Sequence, residues 1–121
     1  MSTIKTFEDI QAWQKARAIS ARIYDLCKTG EIAQDFGLRD QIRRSAVLTQ
    51  SNIAEGFGRE GNKKFIRFLK IAKGSSSEFR SQLYNLLDAF YIDLLEFEDL
   101  YERSAEVERL IGGFINYLEK H

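Results

Sequence analysis

The feature that most restricts the fold is the absence of proline from a chain of 121 residues in which apolar side chains recur every three or four positions. Proline breaks helices, and without it the chain can form long, uninterrupted helices. The spacing itself is that of amphipathic helices. The pattern predicts an all-α protein with helices over about 7–28, 36–57, 62–92 and 96–120. The length predicts a single domain, 1–121.

Polar residues and glycines mark the first predicted helix ends. Thr6, with Asp9 three residues later, is a good N-cap for the first helix, and Asp35 is one for the second. Gly30 is expected to end the first helix. The inward stripes of the helices are predicted to include Trp13 in the first helix and Phe90 at the end of the third.

Residues 56–61 match the pattern GxGxxG through Gly56, Gly58 and Gly61. This pattern marks a dinucleotide-binding turn when a β-strand precedes it, but the residues before it here have helical spacing and none nearby alternate with a period of two. We interpret the segment as a turn between helices. Gly56 or Gly58 is expected to take the left-handed C-cap conformation, and Asn62 to be the next N-cap.

The sequence offers few groups for catalysis. The single histidine, His121, is the last residue, and no Glu-x-x-His pair of the kind that binds di-iron in bundles occurs. Cys27 is the sole cysteine and lies among apolar residues, which predicts a buried thiol. We therefore predict no catalytic residues, no metal site, no cofactor and no enzyme activity.

No apolar run reaches the ~20 residues of a membrane span, and the N-terminal segment lacks the apolar core of a signal peptide. The expectation is a cytoplasmic protein with no membrane contact.

Charge is unevenly distributed although the formal net charge is zero. Residues 1–38 hold five basic and five acidic side chains, residues 39–80 hold ten and four, and residues 81–121 hold three and nine. The three segments therefore carry net charges of 0, +6 and −6. This polarity suits either the binding of a polyanion or stacking against other copies of the chain.

The third helix contains the run GSSS, Gly74 to Ser77. Small residues allow close helix approach, so we expect a crossing with the second helix near Thr49 and Asn52. A structural polar cluster is predicted nearby, and its ion pair between Glu55 and Arg59 should help to fix the angle between helices two and three. The predicted members of this cluster are Asn52, Glu55, Ser76 and Glu78.

Four ordered segments carry a family resemblance: FEDIQAWQKA (7–16), LRDQIRRSAV (38–47), NIAEGFGR (52–59) and FLKIAKGSSSE (68–78). The chain resembles the four-helix bundle family named for 23S rRNA intervening-sequence proteins, which is similar to the accessory variability protein of diversity-generating retroelements. The resemblance implies an up-down-up-down antiparallel bundle that assembles into a ring-like homopentamer. It also implies nucleic-acid binding through basic residues and a protein partner, which in that accessory protein is a reverse transcriptase.

The resemblance implies that phosphate is bound by basic residues of the matching regions and of the turn after them. These residues are Arg39, Arg43, Arg44, Arg59, Lys63, Lys64 and Arg67. Charge alone adds Lys70, Lys73 and Arg80. Two functions stay open. One is an oligomer that binds RNA or DNA without catalysis, and the other is a protein-interaction scaffold whose basic face meets the acidic face of a neighbouring subunit.

Overall fold

The computed structural model describes residues 3–121, which form four α-helices. They are α1 (Gln11–Leu26), α2 (Phe36–Phe57), α3 (Asn62–Asp88) and α4 (Leu94–Lys120), with 3₁₀ turns at Phe7–Asp9 and Glu31–Gln34. Each helix packs against the next, and α4 returns to α1. The short connections make neighbours antiparallel, so the predicted up-down-up-down four-helix bundle is confirmed.

One apolar core runs through the bundle between the inward stripes of all four helices. Its fully buried members include Ile23 of α1, Ile42 and Ile53 of α2, Leu69, Leu83 and Leu86 of α3, and Leu100, Val107 and Ile111 of α4. Burial of each such side chain contributes about 1.5–3 kcal/mol to the free energy of unfolding. Two predicted core residues are placed differently. Phe90 is 91% exposed, and Trp13 is half-buried at the core edge, where its ring meets Phe7 at 5.0 Å.

The boundaries of α2 agree with the prediction, but those of the first helix do not. The Asp35 carboxylate caps α2 by accepting from the Leu38 N–H at 3.2 Å. The Thr6–Asp9 capping box closes only the 3₁₀ turn, because Ile10 then adopts an extended backbone and is buried. Helix α1 therefore begins at Gln11. It ends at Leu26, and Gly30 lies in the loop beyond it.

The turn between α2 and α3 uses its glycines differently from the prediction. Gly58 has an ordinary helical φ of −77°, while Gly61 is left-handed with a φ of 86°. Gly56 is buried inside α2, where a Cβ would lie 2.6 Å from the Phe68 Cβ. Asn62 is not an N-cap. It is the first residue of α3, and its amide donates to the Leu118 carbonyl at 3.4 Å.

Helix α3 ends at Asp88, four residues before the predicted end. Phe90 takes a left-handed backbone with a φ of 61°, which stops the helix. The Asp93 carboxylate then accepts from the Glu96 N–H at 2.8 Å, so α4 begins at Leu94, two residues earlier than predicted.

Candidate nucleic-acid interface

Four cations project from the first turns of α3 into an open groove beside the end of α4. We call this surface the cationic groove; its cations are Lys63, Lys64, Arg67 and Lys70. Its floor is apolar, formed by Ile66, Ile71 and Leu118, and Glu119 stands at its edge. All four cations are exposed. None forms an ion pair with another residue of the described chain.

The start of α3 adds to the positive potential of this groove. The first N–H groups of a helix lack carbonyl partners in the helix and carry a partial positive charge. The first turn of α3 holds no acidic residue to offset that charge. The partial positive charge of the helix N-terminus and the full charges of the four side chains therefore lie together at one end of the bundle. This arrangement attracts phosphate.

The remaining predicted cations do not join this surface. Arg39 and Arg43 lie near the start of α2, are half-buried, and form ion pairs with Asp40 at 3.1 Å and 3.9 Å respectively. Because neighbouring helices are antiparallel, the start of α2 is at the other end of the bundle from the start of α3. Arg44 is exposed on α2, and Lys73 is exposed on α3 one turn beyond the groove.

Arg59 lies close to the groove but is already paired. Its guanidinium contacts the Glu55 carboxylate at 2.6 Å and lies 5.1 Å from the centre of the Phe68 ring. The predicted ion pair across these positions is therefore present. Both partners stay about half exposed, at 49% for Arg59 and 53% for Glu55, so the pair is a surface contact.

Arg80 is placed inside a polar cluster between α3 and α4, although its charge alone suggested phosphate binding. Its side chain is 14% exposed and reaches Glu108 at 2.5 Å. It also donates to the hydroxyls of Ser76 at 3.1 Å and Ser104 at 3.2 Å. Burial by itself would raise the pKa of Glu108, but the bonds from Arg80 and Ser77 outweigh it and lower that pKa. Arg80 is thus occupied within the bundle.

The four residues predicted to share one polar cluster are dispersed. Ser76 bonds to Ser104 of α4 at 2.9 Å, so the polar contact of the serine run is with α4, although Ser76 also lines a small gap in the core with Thr49 of α2. Asn52 donates to the Leu48 carbonyl within α2 at 2.8 Å. Glu55 pairs with Arg59 on the surface, and Glu78 is exposed. Helical spacing showed that Ser76 faces inward, but it could not show which helix lies opposite.

A second buried polar contact joins α2 and α3, and the sequence did not identify its α3 partner, Gln82. The Ser45 hydroxyl donates to the Gln82 side chain at 2.6 Å, and both residues are buried. The available signal was a glutamine on the inward side of an otherwise apolar stripe, since a buried amide needs a partner.

Residues 3–121 contain no group of three histidine, cysteine, aspartate or glutamate residues that could hold a metal ion. Cys27 is buried, as predicted, and burial raises the pKa of its thiol more than Arg43 and Arg39 lower it. The thiol is therefore held in its weakly nucleophilic, protonated form. Within the same residues no helix offers the apolar length that a bilayer crossing needs.

Two comparisons with known proteins bear on this arrangement. The family described as 23S rRNA-intervening sequence protein matches residues 8–113, which include α1 to α3, the cations of the groove and most of α4. The chain is also similar to a crystal structure from Bacteroides thetaiotaomicron, that of a protein with unknown function from the S23 ribosomal protein family. That similarity has 25% sequence identity and a TM-score of 0.78, and covers 86% of this chain and 97% of the other. No curated protein matches the sequence.

Proposed function

Because the chain belongs to the family of 23S rRNA-intervening sequence proteins, we propose that it binds the phosphate backbone of RNA or DNA without catalysing a reaction. The observation that carries this proposal is the cationic groove, whose four cations are exposed and have no acidic partner in the described chain. Unpaired cations at a helix N-terminus bind phosphates by releasing condensed counterions.

Recognition of the backbone, with little sequence preference, follows from the kind of side chain in the groove. Lysines and an arginine supply charge, and the floor is aliphatic. The groove has no aromatic ring on which a base could stack and no asparagine or glutamine to read a base edge. RNA and DNA should therefore bind with similar affinities.

We also propose that the chain forms a ring-like homo-oligomer in the cytoplasm. The family resemblance implies that this oligomer is a pentamer. Several copies would present several cationic grooves to one polyanion, and linked sites strengthen a modest single contact. Arg44 and Lys73, which are exposed, could add contacts beyond each groove.

The alternative function is a scaffold in which the cationic groove meets the acidic face of a neighbouring subunit. Three glutamates spaced by four residues along α4, Glu98, Glu102 and Glu106, offer limited free charge for that role. Glu102 pairs with Arg109 at 2.8 Å and Glu106 with Lys15 at 3.4 Å, which leaves Glu98 exposed without an ion pair in the described chain. This pairing favours nucleic acid as the partner of the groove.

The test is a triple charge reversal, Lys63→Glu, Arg67→Glu and Lys70→Glu, assayed by fluorescence anisotropy with duplex RNA and duplex DNA at low salt. We expect binding to fall by at least about 100-fold, since three phosphate contacts become repulsive. The matched control reverses three exposed cations elsewhere, Lys5, Arg17 and Lys28, and should weaken binding only slightly.

Sedimentation of the same variants separates the two functions. If the groove binds phosphate, the triple reversal keeps the oligomeric mass of the unchanged protein and loses nucleic-acid binding. If the groove is a subunit interface, the triple reversal lowers the mass. Absence of any binding by the unchanged protein at low salt would refute the proposal.

A further inference from the structure

An exposed apolar cluster lies at the end of the bundle opposite the cationic groove. We call it the apolar knob; it consists of Phe90, Leu94 and Leu95, which are 91%, 58% and 78% exposed. The knob occupies the turn from α3 to α4, about 30 Å along α3 from Lys70, the last cation of the cationic groove. Three large apolar side chains within six residues form a patch of the kind that marks an interaction site.

The backbone of Phe90 makes the exposure of its ring significant. Its φ of 61° is left-handed, and no other non-glycine residue in residues 3–121 has a positive φ. The turn is a Schellman motif, closed by Tyr91 N–H to the Leu86 carbonyl at 2.9 Å and Phe90 N–H to the Leu87 carbonyl at 3.0 Å. Glycine closes this motif without steric penalty.

A phenylalanine at this position therefore destabilises the turn, and its ring recovers almost nothing by packing, because it is 91% exposed. The folded chain alone gives no physical reason for the ring. A strained residue that presents an apolar side chain to the outside is explained by contact with a partner.

The charge around the knob identifies the chemistry of that partner. Residues 81–102 contain six acidic side chains and no lysine or arginine. Arginines from outside this segment, Arg22, Arg103 and Arg109, already pair with three of its acids. Asp88, Asp93 and Glu98 flank the knob, are exposed, and have no ion pair within residues 3–121. Phosphate backbones and anionic membrane surfaces are repelled by such a surface. A partner that brings cations together with apolar side chains fits this surface.

We propose that the apolar knob docks a basic amphipathic helix of a different protein. The apolar face of that helix would cover Phe90, Leu94 and Leu95, and its lysines or arginines would face the flanking carboxylates. A second copy of this chain could offer its cationic groove, which the proposed function assigns to phosphate, or the pocket that contains Phe36, Arg39 and Arg43. Both arginines of that pocket already pair with Asp40. The choice of a different protein rests on the proposed function in this one respect.

The test uses a fluorescein-labelled peptide of leucine and lysine, about 18 residues long so that it can form a helix, with leucines on one face. A second peptide of the same composition carries its leucines on all faces. Anisotropy should show binding of the amphipathic peptide to the unchanged protein, and roughly tenfold weaker binding to Phe90→Gly and to Leu95→Ser. The control Ile71→Ser removes an apolar side chain that is 44% exposed in the cationic groove and should bind the peptide normally.

Folding defects do not confuse this test, because Phe90→Gly relieves the left-handed backbone and should raise the melting temperature. Unchanged peptide binding by Phe90→Gly and Leu95→Ser would overturn the inference, as would equal binding of the two peptides. A lower sedimentation mass of the knob variants without peptide would also overturn it, by showing that a second copy covers the knob. The anisotropy assay with nucleic acid remains independent, since the knob variants keep the groove intact.

Discussion

Arg59 and Arg80 show how the surroundings of a residue decide what its charge does. Both are arginines paired with a glutamate, but Arg59 is 49% exposed while Arg80 is 14% exposed and also bonds to two serines. A partly buried guanidinium needs all of those acceptors, whereas an exposed one has water as an alternative. The sequence predicted the Arg59 pair because its partner is one helical turn away. It could not predict the Arg80 pair because Glu108 is on another helix.

This difference predicts unequal effects of removing the two glutamates. Glu108→Gln should lower the free energy of unfolding by about 1–3 kcal/mol at pH 7, since it leaves Arg80 without a counter-charge. Glu55→Gln is the matched control and should change it by less than about 0.5 kcal/mol, because exposed pairs contribute little. Urea unfolding of both variants measures the effects, and equal losses would contradict this account of Arg80.

The pH dependence of the Glu108 effect follows from its lowered pKa. The unfolded chain binds this proton more readily than the folded chain, so the contribution of Glu108 is complete above the ordinary glutamate pKa of about 4.3. It is lost as pH falls through the lower pKa of the folded state. The stability gap between the unchanged protein and Glu108→Gln should therefore narrow below about pH 4. A constant gap down to pH 3 would show that the charge of Glu108 is not the cause.

At the scale of helices, local signals placed the elements but missed several of their ends. Asp35 capped α2 as predicted because the cap and the residue it serves are three positions apart. The end of α3 was missed because Phe90, not glycine, takes the left-handed position, and side-chain type gives no sign of that. A close approach of α2 and α3 was also missed. It lies at Gly56, which packs against Phe65 and Phe68.

The close approach at Gly56 predicts that the usual effect of alanine in a helix is reversed there. Gly56→Ala should destabilise the protein by about 1–3 kcal/mol, because the new Cβ would meet the Phe68 Cβ at 2.6 Å and the Phe65 ring at 3.0 Å. Gly113→Ala in α4 is the control. It has no neighbour within 4 Å and should stabilise the protein by about 0.5–1 kcal/mol. Thermal unfolding compares them, and a more stable Gly56→Ala would disprove the close packing of α2 on α3.

The molecule as a whole is neutral but polar along its length. The cationic groove lies at the start of α3, and the apolar knob with its acidic surroundings lies at the end of α3. The uneven charge of the three sequence segments predicted this polarity, because a long helix places its two ends far apart. The count of ten cations overstated the binding surface, since four of the predicted arginines pair with acids in the fold. This polarity underlies our proposal of a different partner for each end.

The salt dependence of nucleic-acid binding can count how many chains act together. The logarithm of affinity for duplex DNA falls with the logarithm of salt by about 0.9 for each phosphate neutralised. If a single groove binds with its four cations, the slope should therefore be no steeper than about −3.6. If the protein binds as an oligomer, a duplex of about 40 base pairs should give a steeper slope between 50 and 200 mM salt. The control is a variant in which the charges of Arg44 and Lys73 are reversed. If cations outside the groove do not cause the steeper slope, the slope of this variant should still be steeper than about −3.6. A slope shallower than −3.6, with a sedimentation mass of one 14.0 kDa chain, would show that a single bundle binds alone.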